Sequence, residues 1–343
     1  MEFRLALIGF GNVGQGLARI LRDKGRIIRE RYGLDCKIVA ISDPIKGSVY
    51  DEGGLDPATL LALVEKDGHV NNYPGGVKGL DSLETIRGTD TNVVVEVTPT
   101  NVETGEPGLT HIRTALEVGK HVVTSNKGPI ALAYRELMTL AEEKGAILRF
   151  EGTVLSGTPA ISLATEALAG ADVLEVKGIV NGTTNFILTK MEEGMSYEDA
   201  LREAQRLGYA EADPTADVEG WDAAVKLVIL ANVVMGADIT LRDVEREGIT
   251  GVTREDVEDA LRDGQRIKLI ASARREGSRV IARVAPTRVP LTHPLANVMG
   301  ATNALTLVTD HLGEVTIVGP GAGRVETGQA ILSDLLAIHR LLR

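Results

Sequence analysis

The sequence predicts an α/β chain: a doubly wound, mostly parallel sheet in the first half and a separate α+β unit in the second. Three observations carry that reading. An apolar strand at residues 3–9 runs into Gly9-Phe10-Gly11-Asn12-Val13-Gly14 and then into a helix-like stretch at 15–31. Strand and helix patterns keep alternating as far as residue 151. Beyond that point the alternation breaks, and several helices are followed by a run of strands. The 343 residues leave room for two domains of ordinary size.

The glycine run is G-x-G-x-x-G between a strand and a helix, the context that gives this motif its meaning. Gly9 makes the tight turn, Gly11 lets the backbone approach a pyrophosphate, and Gly14 lets helix and strand pack closely. Phe10, Asn12 and Val13 complete the turn, and the helix start offers free amides to phosphate. This is the fingerprint of a Rossmann-type sheet that binds a dinucleotide. A second strand at 37–42 ends at Asp43, where an acid can take both ribose hydroxyls of NAD. A turn Asp before Pro44 is the plainer alternative. Lys46 lies close enough in sequence to meet a 2′-phosphate, yet the reading leans to NAD over NADP.

Residues 50–90 read as irregular apart from a short helix at 57–66. A buried strand follows at 92–97, then Thr98-Pro99-Thr100, a helix at 109–118 and a strand at 121–124. Ser125-Asn126-Lys127-Gly128-Pro129 reads as the loop at that strand's carboxyl end, where open α/β sheets place ligands. Lys127 is either a solvated loop lysine or a group at the nicotinamide and substrate. A helix at 131–144 and a strand at 146–151 close the first half. In the second half, 152–159 is loop, and helix 160–168 and strand 174–180 follow. Asn181-Gly182-Thr183-Thr184-Asn185 opens a helix, suited to capping or to a small carboxylate. Ser196 with Asp199, and Thr253 with Asp256, read as capping boxes. Strands are expected near 267–273, 280–285, 304–309 and 314–318. Gly319-Pro320-Gly321-Ala322-Gly323 then precedes a helix at 325–342, expected to return to the first domain. The division is 1–150, completed by 319–343, as a dinucleotide-binding domain, and 151–318 as a substrate-binding and oligomerisation domain.

The stretch from Leu207 to Lys226 carries the chemistry. It holds Glu211, Asp213, Asp217, Glu219 and Asp222, and sets Lys226 four residues after Asp222. Pro214 makes the first part loop, and a helix beginning near Glu219 or Gly220 places Glu219, Asp222 and Lys226 on one face. Acids before a helix and an Asp–Lys pair are also common surface decoration. The helix continues apolar nearly all round, as a buried helix does. A lysine there needs partners or a task. The functional reading is a pocket that holds an ammonium with carboxylates and delivers a proton from a lysine.

Composition narrows the partners. The formal charge of −11 and the lack of a basic patch argue against nucleic acid and anionic membrane. Cys36 is the only cysteine, so an intrachain disulfide is excluded and a reducing compartment, the cytoplasm, fits. In its apolar strand it reads as a core residue. No run reads as a signal peptide or a membrane span.

At these residues the chain resembles homoserine dehydrogenase over nearly its whole length. The motifs are GFGNVG at Gly9, HVVTSNKGP at His121, FEGTVLSGTP at Phe150, GIVNGTTNFIL at Gly178, LGYAEADPTADVEGWDAAVK at Leu207 and GPGAG at Gly319. The resemblance implies reversible reduction of L-aspartate 4-semialdehyde to L-homoserine with NAD(P)H, on the route to threonine, methionine and isoleucine. By motif it makes Lys226 the proton donor and acceptor, with Lys127 at the reacting carbonyl. Glu211 and Asp222 would bind the amino acid, Gly182 and Thr183 would join them, and Asp217 would support the lysines. Gly208, Gly323 and Thr98 would approach the cofactor. A monovalent cation, usually sodium, would sit on the Glu151 carboxylate and backbone oxygens of Val154, Ser156 and Thr158. A homodimer or larger homo-oligomer is implied. The chain departs from some relatives in ending soon after the last helix, without their regulatory domain or fused aspartate kinase, and in carrying Pro44 where some have an arginine. Another amino-acid dehydrogenase or a nucleotide sensor remain the rival readings.

Overall fold

β1 (Glu2–Ile8) lies inside the first sheet, and Leu5 to Ile8 are fully buried, as a strand covered on both faces requires. After it come α1 (Asn12–Tyr32), β2 (Asp35–Asp43), β3 (Gly47–Tyr50), α2 (Pro57–Asp67), β4 (Val77–Lys78) and α3 (Ser82–Gly88). Then follow β5 (Val93–Glu96), α4 (Gly108–Glu117), β6 (His121–Thr124), α5 (Lys127–Glu143) and β7 (Leu148–Arg149). This computed structural model describes all 343 residues, Met1 to Arg343. The chain forms two units, residues 1–157 with 323–343, and residues 158–322.

The strand order of the first unit is β4-β3-β2-β1-β5-β6-β7. Strands β2, β1, β5, β6 and β7 are parallel, and β3 and β4 extend the sheet antiparallel. The order reverses between β1 and β5, so the carboxyl ends of β1, β2, β5 and β6 frame the crevice where such sheets bind ligands. Residues 50–90 hold more order than expected. α3 has an Asp81–Glu84 capping box, while β3 and β4 are too short for a visible alternation. Lys127 begins α5 instead of lying in a loop, with Asn126 accepting the Gly128 amide at 3.3 Å. Gly128 and Pro129 look like breakers, but proline is tolerated in a first turn, whose amides have no intrahelical partner.

The second unit contains α6 (Ala160–Ser162), continued by a π turn at Leu163–Ala167, then β8 (Val173–Ile179), α7 (Gly182–Glu192), α8 (Tyr197–Arg206), α9 (Thr215–Val218) and α10 (Trp221–Val234). It continues through β9 (Val244–Arg246), α11 (Arg254–Arg262), β10 (Gln265–Glu276), β11 (Arg279–Pro290), β12 (Thr302–Thr309) and β13 (Gly313–Pro320). The mixed sheet runs β13-β12-β8-β10-β11-β9, antiparallel except where β9 meets β11. α10 packs on β10 and β11, burying every residue from Ala223 to Ala231, Lys226 included. One expectation fails here. Gly220 stands in the left-handed conformation (φ 78°) and separates Glu219 from α10. Glu219 therefore leaves the face of Asp222 and Lys226 and pairs with Arg246 at 3.7 Å.

The last helix, α12 (Arg324–Leu341), belongs to the first unit and crosses α1 where Gly16 meets Gly328. A Cβ on Gly328 would stand 2.8 Å from the Gly16 carbonyl carbon, so the crossing tolerates glycine alone. α12 also holds the segment after β7. Buried Asp334 accepts the Glu151 amide at 2.8 Å and Arg149 Nε at 3.4 Å, and the Ser156 and Thr327 hydroxyls meet at 2.7 Å. Residues 151–157 accordingly sit with the first unit. No helix is long and apolar enough to cross a membrane.

Candidate active site

The glycine turn is shaped for a dinucleotide. Gly9 has φ 98°, and a Cβ there would lie 2.7 Å from the Val97 carbonyl oxygen. At Gly14 a Cβ would meet the Gly9 oxygen at 2.7 Å, while at Gly11 it would meet nothing within 4 Å. Gly11 thus leaves open space in front of α1, whose start has no side-chain cap and no acidic residue in its first turn. Those amides are placed for an anion. A cleft of about 900 Å³ opens beside them, lined by Gly11, Asn12, Gln15, Arg19, Lys46 and Arg324 among others. Arg324 donates to Asn12 Oδ1 at 2.7 Å, tying the start of α12 to the turn. Asp43 clamps this region. Its Oδ2 accepts the Phe10 amide at 2.7 Å, and its Oδ1 accepts the amides of Ile45 and Lys46 at 2.8 and 2.7 Å. Val13 is partly buried against the apolar core of this unit.

On the other side of the order reversal, buried Thr98 follows β5 and half-buried Lys127 begins α5. Asn126 lies between them, with Nδ2 at 3.3 Å from the Thr98 carbonyl and 3.4 Å from its hydroxyl. Gly323 caps α12 with φ 139°, and a Cβ there would strike the Glu326 carboxylate.

The second unit gathers the acids and the lysine. Lys226 Nζ lies 2.7 Å from Asp222 Oδ2 and donates to the Val180 carbonyl at 2.7 Å. Asn181 joins the two aspartates, donating from Nδ2 to Asp217 Oδ1 at 2.6 Å and to Asp222 Oδ2 at 2.9 Å. Its Oδ1 caps α7 by accepting the Thr184 amide at 2.9 Å, which fixes the amide's orientation. Burial pushes the Asp217 carboxyl above its ordinary value. The Asp222 charge adds to that rise, and the Asn181 hydrogen bond and the Lys226 charge oppose it. Sequence reasoning placed Asn181 only at a helix start. The signal was its position directly after β8, level with the acids of the 207–226 stretch.

The remaining candidates fall around this cluster. Gly182 is the first residue of α7, and a Cβ there would meet the Ala301 carbonyl oxygen at 2.6 Å. Thr183 donates to the Tyr209 carbonyl at 2.7 Å, fastening α7 to the turn after α8. Gly208 in that turn is exposed at φ 77° with open space before it. Glu211 is exposed on the segment leading to α9, outside the Asp217–Asn181–Asp222–Lys226 cluster.

Glu151, Val154, Ser156 and Thr158 are all buried. Ser156 is the only non-glycine residue with positive φ, at 53°. Such a conformation persists where the surroundings enforce it, and it turns a carbonyl away from the course of ordinary backbone. Thr158 donates to the Pro320 carbonyl at 3.0 Å. No group of three or more His, Cys, Asp or Glu side chains is disposed to hold a metal ion. A cation at this segment would therefore rely on backbone oxygens with the one carboxylate, a donor set of the kind hard cations accept.

Comparison with known proteins agrees with this geometry. Residues 9–151 match the family model of the homoserine dehydrogenase NAD-binding domain, and residues 159–336 match that of homoserine dehydrogenase. An NAD(+)-dependent homoserine dehydrogenase of Pseudomonas canavaninivorans is 46% identical over 99% of this chain and 97% of its own. The homoserine dehydrogenase of Methanocaldococcus jannaschii is 46% identical over 98% of each chain. Among solved structures, a putative homoserine dehydrogenase from Archaeoglobus fulgidus superposes with a TM-score of 0.88 at 41% identity, covering 98% of this chain and 99% of its own. A hyperthermophilic archaeal homoserine dehydrogenase in complex with NADPH gives 0.86 at 32% identity, covering 99% and 98%. With both units matched and the glycine turn and lysine–aspartate cluster in place, the chain belongs to the homoserine dehydrogenase family, NAD(P)-dependent oxidoreductases that interconvert L-homoserine and L-aspartate 4-semialdehyde.

Proposed function

We propose that Lys226 is the proton donor and acceptor of this reaction. The supporting observation is its ammonium, buried in α10 and bonded to Asp222 and the Val180 carbonyl. Bound NAD(P)H supplies the hydride to the aldehyde carbon, and negative charge grows on the oxygen. Lys226 stabilises that charge and protonates it; in the reverse direction its amine takes the hydroxyl proton. Lys127 supplies a second positive charge for the same oxygen. Asp222 and Asp217 hold the lysine in place, and Glu211 with Asp222 binds the substrate ammonium. Gly182 and Thr183, at the start of α7, receive its carboxylate.

Gly9, Phe10, Gly11, Asn12, Val13 and Gly14 cradle the pyrophosphate, with Thr98, Lys127, Gly208 and Gly323 as further contacts. Asp43, ending β2, is the acid that takes the ribose hydroxyls and favours NAD, and Lys46, lining the cleft, is the counter-charge that admits NADP. The Glu151 carboxylate and the backbone oxygens of Val154, Ser156 and Thr158 hold sodium, a reading supported by the enforced backbone of Ser156. The enzyme works in the cytoplasm as a homodimer or larger homo-oligomer. The test is homoserine oxidation with NAD and with NADP, with and without sodium, in wild type and Lys226→Ala. Loss of most turnover in the variant supports the assignment; near-normal turnover removes Lys226 from the mechanism.

A further inference from the structure

Glu96 ends β5 fully buried, and no step described so far uses it. A carboxylate taken wholly out of water is costly unless donors converge on it, and here they do. Its Oε1 accepts the Thr98 amide at 3.1 Å and also the Thr98 hydroxyl. His111 Nδ1 stands 3.5 Å from the same oxygen without hydrogen-bonding to it. The Thr124 hydroxyl, which donates to the Glu96 carbonyl at 2.8 Å, lies 3.2 Å from Oε2. Thr124 in turn accepts the Asn126 amide at 2.9 Å.

Asn126 fixes the remaining direction. Its Oδ1 is occupied in capping Gly128, so the group facing Thr98 is Nδ2, a donor. The Thr98 oxygen must therefore accept from Asn126, and its single hydrogen must point to Glu96. We propose that Glu96 is a positioning residue that locks the Thr98 hydroxyl with its hydrogen turned inward, so that Thr98 offers the nicotinamide an acceptor only. The matching group is the carboxamide NH₂. This rests on the assignment of Thr98 to the cofactor. The nicotinamide half of a dinucleotide belongs on the β5–β6 side, because the ribose acid and the pyrophosphate turn occupy β2 and β1.

The test is calorimetric binding of NAD and of its 3-acetylpyridine analogue, whose methyl ketone keeps the acceptor oxygen but has no N–H. Wild type is expected to bind NAD about fivefold more tightly, the worth of one hydrogen bond near 1 kcal/mol. Thr98→Val removes the acceptor, and Glu96→Leu removes the oxygen that holds the Thr98 hydrogen inward, freeing it to turn outward. Both should bring the affinity ratio toward one, with each variant's fold checked by circular dichroism. An unchanged ratio in Thr98→Val shows that Thr98 does not meet the carboxamide and overturns its cofactor assignment. A lowered ratio in Thr98→Val with a wild-type ratio in Glu96→Leu overturns the role of Glu96 alone. If Glu96→Leu fails to fold, Glu96→Asp draws the carboxylate back by one methylene and should also lower the ratio; a wild-type ratio there overturns the proposal.

Discussion

Two lysines are buried in the second unit, and they are held in opposite ways. Lys226 on α10 has a carboxylate at 2.7 Å. Lys268 on β10, with no exposed surface at all, is held by neutral acceptors, Asn185 Oδ1 at 3.1 Å and the Val298 carbonyl at 2.8 Å. Burial pushes its pKa down to about 8, with the Glu192 charge opposing. The difference teaches that burial alone does not mark a chemical lysine. Lys268 cross-links α7 to residues 298–302, whose Val298, Gly300 and Thr302 carbonyls also stand within 3.1 Å of Asn185 Nδ2, and its charge is only tolerated there. Lys226 is held instead by the Asp222 carboxylate, which Asn181 joins to Asp217.

The contrast can be pressed by removing each lysine's support. Asp222→Ala strands an ammonium in a nearly closed site and should cost about 4 kcal/mol of unfolding free energy in urea titrations. A change under 1 kcal/mol would mean that the pair is weak. For Lys268 the lever is pH. Its folded-state pKa of about 8 lies below the 10.5 of the free side chain. Between these values the unfolded chain binds a proton that the folded chain has lost, so stability rises with pH across that window by on the order of 3 kcal/mol. Lys268→Met should lack this rise, and an equal rise in both proteins would refute its source. Asn185→Ala takes one acceptor from Lys268 and the Asn185 donor from the Gly300 and Thr302 carbonyls, for a loss of about 2 kcal/mol. Smallest of all, Gly11→Ala should leave the melting temperature of the free protein unmoved, since its Cβ meets nothing, while weakening dinucleotide binding about fivefold.

Much of this was legible in the sequence because local pattern and local chemistry coincide in it. The glycine turn is one continuous stretch whose strand and helix are written on either side, and Asp222 and Lys226 are one helical turn apart. Caps are equally local: Thr253 and Asp256 form the full capping box, while Ser196 caps α8 by accepting the Asp199 amide without the reciprocal bond. What stayed hidden depends on partners distant in the chain. Asn181 finds the aspartates 36 and 41 residues on, and Asp334 finds Glu151 183 residues away. Glu96 reads in the sequence only as part of a buried strand, and Thr124, 28 residues on, is among the groups that surround its carboxylate. Glu219 misled because a helical period was carried through Gly220, where the left-handed backbone breaks it.

The most direct test of the central claim is to measure homoserine turnover and NAD(P)H affinity on the same preparation of Lys226→Ala, beside Lys268→Met. Turnover should fall by about 100-fold or more in the first, with nucleotide affinity retained, and stay near wild type in the second. Near-wild-type turnover in folded Lys226→Ala would contradict the account.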